Sequence, residues 1–237
     1  FKDRQIFQYD PHLLIEGIIC TCYAINAHHA YIYIRGEYKF FIDRVNAAIK
    51  EAYEAKIIGD KIMDKYDFKL DIVVHRGGGA YICGEKSALI ESLEGKRGHP
   101  RLKPAGKESE WFFGNPATVN NVETIASVPN IVENGSEGYT KYGTEKSPGT
   151  MLFAISGPVK NPGVYEMEYG NKMIDFLNIL GGGMIEGKKL KAIIPGGSSC
   201  PVLTAVEVEK AVLDHSSMSD IGSTLGTGGM IVIDEDT

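Results

Sequence analysis

Two short stretches hold residues whose types and spacing can do chemistry. In Gly77-Gly78-Gly79-Ala80-Tyr81-Ile82-Cys83-Gly84-Glu85-Lys86, a glycine loop leads into a helix that opens at Glu85. Glycine lets the backbone approach a bulky anionic ligand and adopt positive φ. The unpaired N–H groups of a helix start then point at that ligand. Tyr81 and Glu85 add an aromatic face and a carboxylate, which suit a planar heterocycle. The same stretch also fits a tight turn feeding a buried helix. The second stretch is Val119-Asn120-Asn121-Val122-Glu123-Thr124. Paired asparagines at a helix start are ordinarily caps, and Asn120 with Glu123 reads as an asparagine form of the capping box.

Other polar groups are less specific. Lys96-Arg97-Gly98-His99-Pro100-Arg101-Leu102-Lys103-Pro104 is a basic run in an acidic chain. It fits equally a guide for a dinucleotide phosphate and a solvated loop. His28, His29 and His75 have no partner visible in the sequence and read as non-catalytic. Cys20 and Cys22 read as small residues of a buried helix. None of Cys20, Cys22, Cys83 and Cys200 has iron–sulfur spacing, and all four read as reduced thiols of a cytosolic protein.

These groups need a scaffold. The 237 residues suffice for one large or two small domains. A 43% hydrophobic and 24% charged composition is that of a globular protein. No apolar run approaches the ~18 residues that span a bilayer, so no direct membrane insertion is expected. The net charge of −6 gives no reason to expect nucleic acid. Phe1 at the start and Asp234-Glu235-Asp236-Thr237 after a strand-like run lead to the expectation of an internal fragment.

Asp10-Pro11 marks a helix start, and Leu14, Ile18, Cys22 and Ile25 share one of its faces. Ala30–Ile34 is a strand, Phe41–Ala55 a helix and Leu70–Val74 a strand. This is a βαβ unit with parallel strands and a right-handed crossover. Ligands of such sheets sit beyond the strands' carboxyl ends, where the Gly77–Gly79 loop begins. Pro129 is expected to stop the helix after Asn121, and Gly135–Gly149 reads as a linker. Beyond it, Met151, Phe153 and Ile155 alternate as a strand, with Val164–Met167 pairing back. A helix with Met173, Phe176, Leu177 and Leu180 on one face closes at Gly181-Gly182-Gly183. Leu190–Ile194 returns as a strand, which suggests a β-grasp module. A helix over Ser217–Leu225 and a strand over Met230–Ile233 complete the chain.

The whole chain resembles the middle of the flavin-carrying, NADH-oxidising subunit of bacterial NADH:quinone oxidoreductase (complex I), a type shared with NAD-linked hydrogenases and formate dehydrogenases. The residues that carry the resemblance are Phe1-Lys2-Asp3-Arg4, Asp10–Gly17, Ala30–Tyr38, the glycine loop and Pro195-Gly196-Gly197-Ser198-Ser199. It implies an α/β, partial Rossmann-like flavin domain with a parallel sheet over residues 1–146. A ubiquitin-like β-grasp, soluble-ligand-binding module over 147–200 follows. Residues 201–237 would connect to an iron–sulfur domain outside the chain, which carries a 4Fe-4S cluster.

The resemblance implies FMN as cofactor and NAD(P)H as substrate. Gly79, Tyr81, Gly84 and Glu85 would meet the flavin, as would Val119, Asn120, Asn121 and Thr124. Lys86 and Lys103 would face the nucleotide. The implied partners are a thioredoxin-like 2Fe-2S subunit and an iron–sulfur subunit of the parent complex. The implied location is cytoplasmic, peripheral to the inner membrane. Two positions depart from the family pattern: Lys86 stands where a second glutamate is usual, and Gly106 where an aromatic lines the nicotinamide pocket. They keep open an electron-transfer subunit that does not react with NADH directly. A non-enzymatic β-grasp adaptor is a further alternative.

Overall fold

In the computed structural model, residues 1–102 and 110–237 are described. They form two compact units, Asp3–Pro129 and Asn130–Thr237, the latter joined by Phe1–Lys2. No described helix is long and apolar enough to cross a membrane.

The first unit begins with α1 (Lys2–Tyr9) and α2 (Pro11–Ile25). Asp10 caps α2, its carboxylate accepting from the Leu13 N–H at 3.0 Å. Strand β1 (His29–Ile34), helix α3 (Lys39–Glu54) and strand β2 (Asp71–Arg76) follow. The two strands pair in parallel from His29↔Asp71 to Ile34↔Arg76, so the expected βαβ unit is present. Ile32, Ile34 and Ile72 pack in one core with Leu14, Ile15 and Ile18 of α2 and Ile42, Val45 and Ile49 of α3. Both helices therefore cover the same face of the pair. The other face carries Tyr33, whose hydroxyl lies 3.0 Å from Ser92 Oγ at the end of α4 (Lys86–Leu93). A short antiparallel hairpin, β3 (Glu110–Phe112) and β4 (Asn115–Ala117), comes next.

Helix α5 (Val122–Thr140) corrects one expectation. It does not stop at Pro129, which lies buried inside it. The irregular residue is Gly135, with φ 71° and ψ 176°. Proline removes one helical bond, the one its own N–H would give to the carbonyl four residues back. That carbonyl belongs to Ile125, and it occupies the place a Cβ on Gly17 would take. The missing side chain on α2 makes room for the carbonyl that Pro129 leaves without its helical partner. Gly135–Gly149 is also more structured than a linker: beyond the kink at Gly135 a second helical stretch runs to Thr140, and Gly143 and Pro148 form a β-bridge.

The second unit holds a five-stranded sheet in the order β6-β5-β9-β7-β8. Its strands are β5 (Thr150–Ser156), β6 (Gly163–Glu168), β7 (Leu190–Ile194), β8 (Leu203–Thr204) and β9 (Gly229–Asp234). First and last strands pair in parallel at the centre and the remaining pairs are antiparallel. This is the strand order of a ubiquitin-like β-grasp. Phe153, Ile155, Ile193, Met230 and Val232 bury one face against Met173, Phe176 and Leu177. The helix expected over Ser217–Leu225 is instead a shorter one, His215–Asp220, capped by Asp214. It ends where Gly222 takes φ 73°.

The Gly17 contact can be tested. Gly17→Ala sets a methyl against a backbone carbonyl that cannot rotate away, so it is expected to destabilise the first unit by about 1–3 kcal/mol. A urea midpoint equal to that of the parent protein would show that α2 and α5 are not held at this distance.

Candidate functional site

The carboxyl ends of β1 and β2 set the site. Gly77 continues the ladder, its N–H donating to the Ile34 carbonyl at 2.8 Å. A Cβ on Gly36 would collide with the Gly77 carbonyl, and one on Gly77 would fall 2.6 Å from the Tyr33 hydroxyl. The two strand exits are thus pressed together at glycines. Gly79 turns with φ 84°, and a Cβ there would lie 3.1 Å from the Glu37 carboxylate. Arg35 bonds Glu37 at 2.7 Å and holds its carboxyl below the ordinary value. A Cβ on Gly78 or Gly84 would meet nothing within 4 Å, so the backbone faces open space at both. The loop then makes a 3₁₀ turn, Tyr81–Gly84, before α4. Tyr81 is 90% exposed, while Cys83 is buried.

Glu85 is the N-cap of α4. Its Oε2 accepts from the Ala88 N–H at 2.9 Å and from the Ser87 hydroxyl. Ser87 in turn accepts from the Arg101 N–H at 2.9 Å. Lys86 occupies the first helical position and is exposed.

The second motif is shifted by one residue from its expected geometry. Asn121, not Asn120, caps α5: its carbonyl accepts from the Ile125 N–H at 3.1 Å. Its side-chain oxygen accepts from the Glu123 N–H at 3.0 Å. Asn121 Nδ2 also donates to Asp3 at 3.3 Å. Asn120 donates instead to the Thr118 hydroxyl at 3.2 Å. Thr124 is exposed on the first turn of α5.

Val119 and Asn120 share a cavity of about 230 Å³ with Leu89 and Leu93 of α4 and Tyr31 and Tyr33 of β1. Gly79, Tyr81, Gly84, Glu85, Lys86, Asn121 and Thr124 do not line it. Lys103 and Gly106 lie outside the described residues.

Sequence reasoning missed the ion cluster behind the loop. Arg101 bonds Glu91 and the Trp111 carbonyl, and its second terminal nitrogen reaches Glu94 at 2.9 Å. Glu94 also takes the Lys96 ammonium at 2.8 Å and the Phe113 N–H at 2.7 Å. Two cations of the basic run are therefore neutralised by Glu91 of α4 and by Glu94 just past its end, which favours an anchored loop over a free phosphate guide at those positions. Opposite charges ten residues apart give no sequence signal of pairing. His75, which has no partner visible in the sequence, stacks on Tyr33 with ring centroids 5.2 Å apart.

Lys96, the Phe113 N–H and Arg101 draw the Glu94 carboxyl down from 4.5 to about 2. A depressed carboxyl stabilises the fold above its unfolded value and loses that contribution as pH falls through the folded one. Trp111, the only tryptophan, reports on the cluster through the Arg101 bond to its carbonyl. Its emission is expected to hold from pH 7 to pH 3 and to change only as pH nears about 2. A transition centred near 4.5 would show that the cluster does not form. Arg101→Met should shift the emission already at pH 7.

Fold and loop together define an α/β domain with a glycine-rich ligand site at the ends of parallel strands, joined to a β-grasp module. The chain belongs to the Nuo51 FMN-binding domain family, whose model matches residues 1–130, and an SLBB domain model matches residues 151–233. Over 237 residues it is 46% identical to an F subunit (number 2) of the NADH-quinone oxidoreductase of Rhizobium meliloti (strain 1021), covering all of this chain and 56% of that protein. It is likewise 46% identical to the F subunit of the NADH-quinone oxidoreductase of Rhodobacter capsulatus, covering 55% of it. The chain thus spans about half the length of these curated relatives. A solved NAD+-reducing [NiFe]-hydrogenase in its H2-reduced state superposes with a TM-score of 0.85 at 33% identity, over all of this chain and 38% of that one.

Proposed function

We propose that this chain forms the flavin-holding part of a subunit that takes electrons from NADH and delivers them to iron–sulfur clusters of a quinone-reducing complex. The observation that carries the proposal is the match to a flavin-binding family together with a glycine loop at the parallel strands' carboxyl ends. The residues present suit FMN. Gly78 and Gly84 expose backbone with no side chain nearby, Tyr81 presents an exposed ring, and Glu85 fixes the start of α4. FMN, when bound, supplies two-electron oxidation of NADH and one-electron delivery onward. The protein's own task is positioning. Gly79, Tyr81, Gly84 and Glu85 form one wall of the proposed flavin site, and Val119, Asn120, Asn121 and Thr124 the other. Lys86 and Lys103 are assigned to the nucleotide side. The proposed partners are a thioredoxin-like 2Fe-2S subunit and an iron–sulfur subunit, with a 4Fe-4S cluster in a further domain. The proposed location is the cytoplasmic side of the inner membrane, held there through the complex.

Lys86 favours a second reading, a related electron-transfer subunit that does not meet NADH directly. The family pattern has a glutamate at this position, so the charge there is reversed. Anaerobic addition of NADH to a protein of the relatives' length carrying these residues separates the two. Bleaching of the flavin band is expected. An unbleached, stably bound flavin would support the second reading, and absence of flavin would defeat both.

The two asparagines should behave differently in that protein. Asn121→Ala removes the α5 cap and is expected to cost about 1 kcal/mol of stability along with flavin content. Asn120→Ala should lower flavin content with little change in stability, because its side chain bonds a neighbouring hydroxyl. Equal flavin content in the parent and both variants would confine Asn121 to capping and Asn120 to its bond with Thr118.

A further inference from the structure

The half-buried Tyr33 hydroxyl meets the glycine-loop region at several points along its length. Tyr33 and His75 are register partners on β1 and β2, so their side chains stand on one face of the pair. Their rings stack with centroids 5.2 Å apart and 23° between planes, which sets the direction of the Tyr33 ring. The ring ends at the exit of β2, where a Cβ on Gly77 would fall 2.6 Å from the hydroxyl. On its far side the hydroxyl lies 3.0 Å from Ser92 Oγ, in the last turn of α4. The Cys83 thiol, buried in the 3₁₀ turn, is a further neighbour of the same hydroxyl. Burial raises the Tyr33 hydroxyl above the ordinary tyrosine value, with Ser92 opposing and Cys83 adding to the rise. Tyr33 therefore keeps its proton at neutral pH, and its link to Ser92 joins two neutral hydroxyls.

Helix α4 needs such a tie. None of its residues belongs to the apolar core in which α2 and α3 meet the strands. At its start the Glu85 carboxylate bonds Ala88 and Ser87, within the same segment. At its end the Arg101 cluster binds it to the hairpin: Arg101 joins Glu91 to the Trp111 carbonyl, and Glu94 takes the Phe113 N–H. The Tyr33–Ser92 bond instead reaches α4 from the strand pair itself.

The stretch between these contacts is the wall assigned to the flavin. Gly77 opens it, Cys83 lies within it and Ser92 closes it, with Gly78, Gly79, Tyr81, Gly84 and Glu85 between. Backbone groups bind a ligand more tightly when they are already held in the bound geometry, because less ordering is left for the binding step.

We propose that Tyr33 is a positioning residue of the flavin site: its hydroxyl holds Cys83 and Ser92 against the exit of β2, and so presets the loop backbone from Gly78 to Gly84. It acts through the loop rather than on the ligand. The proposal deepens the flavin reading above and rests on it.

The test uses a protein of the relatives' length carrying these residues, freed of flavin, with the variants Tyr33→Phe, Ser92→Ala and Ser92→Thr. Two quantities are measured: the affinity for added FMN, and the rate at which N-ethylmaleimide modifies Cys83 before FMN is added, followed on the peptide that contains it. Tyr33→Phe and Ser92→Ala are each expected to weaken FMN binding about fivefold, the loss of one hydrogen bond. Each should also speed modification of Cys83 about tenfold, by local opening of the loop. The double variant should do no more than either alone, because both remove the same bond. Ser92→Thr keeps the hydroxyl and should keep both parent values. A parent that binds FMN, beside a Tyr33→Phe variant with the same affinity, would overturn the role of Tyr33 and leave the flavin reading standing. Equal losses in Ser92→Thr and Ser92→Ala would also overturn it, since the hydroxyl would not be what matters. A parent that takes up no FMN would defeat the flavin reading, and the positioning role with it.

Discussion

The close approach of the two strand exits governs the first unit. Parallel pairing through Ile34↔Arg76 sets the Gly77 carbonyl where a Cβ on Gly36 would stand, and a Cβ on Gly77 would force the Tyr33 ring to shift. The Gly77 carbonyl fills the space beside Gly36, and the Tyr33 ring fills the space beside Gly77. Only after this crossing does the chain become free to turn at Gly79 and expose the backbone of Gly78. The glycine run therefore has two jobs in sequence. Gly77 is required by packing, and Gly78 and Gly79 by the open surface that follows. A ligand reaching the loop meets backbone that is held firmly at one end by the strand ladder and at the other by the capped start of α4.

That capped start changes the role of Glu85. Read from the sequence, it is a carboxylate beside a helix N-terminus, available to a ligand. In the structure Oε2 serves the Ala88 N–H and the Ser87 hydroxyl. Ser87 extends the chain of bonds to Arg101, and Arg101 reaches Glu91, Glu94 and Trp111. Glu85 is thus one end of a polar network that runs along the length of α4. Its bond to the Ala88 N–H uses one donor of the very terminus that would otherwise serve an anion. A ligand here would be recognised more by the loop backbone and the Tyr81 ring than by the helix end.

The sequence made the βαβ unit and the β-grasp hairpin legible because each rests on periodicity within one segment. Ile42, Val45, Ala48, Ile49 and Ala52 are buried in α3 as their spacing required. Met151, Phe153 and Ile155 are buried on β5 by the same logic with a period of two. What failed to show depends on partners far along the chain. Pro129 reads as a stop, and the helix passes through it beside Gly17, more than a hundred residues away. Asn120 and Asn121 are chemically alike, and only the carbonyl bond to Ile125 selects Asn121 as the cap. The Arg101 cluster joins charges that no local pattern couples. Ile25 belongs to the apolar stripe of α2 yet is 54% exposed, while Leu14, Ile18 and Cys22 of the same stripe are buried, because Ile25 is the last residue of the helix, where Asn26 turns left-handed and ends it.

The two units satisfy a sheet's needs in different ways. In the second, strands β5 and β9 come from opposite ends of the segment and meet at the centre of five strands, so every inner strand has two neighbours. In the first, the parallel strands have helices on one face and α4 on the other, the arrangement of a fully covered sheet, but only one ladder between them. Parallel strands are ordinarily found within larger covered sheets because their faces must be buried on both sides. A two-stranded parallel pair with walls already built beyond its edge has more helix surface than it has sheet to cover. Beyond the edge of β1, exposed Ile25 of α2 and half-buried Leu89 and Leu93 of α4 are among the residues that line the cavity. The proposed flavin site stands at the mouth of the same strands, with Val119 and Asn120 common to both.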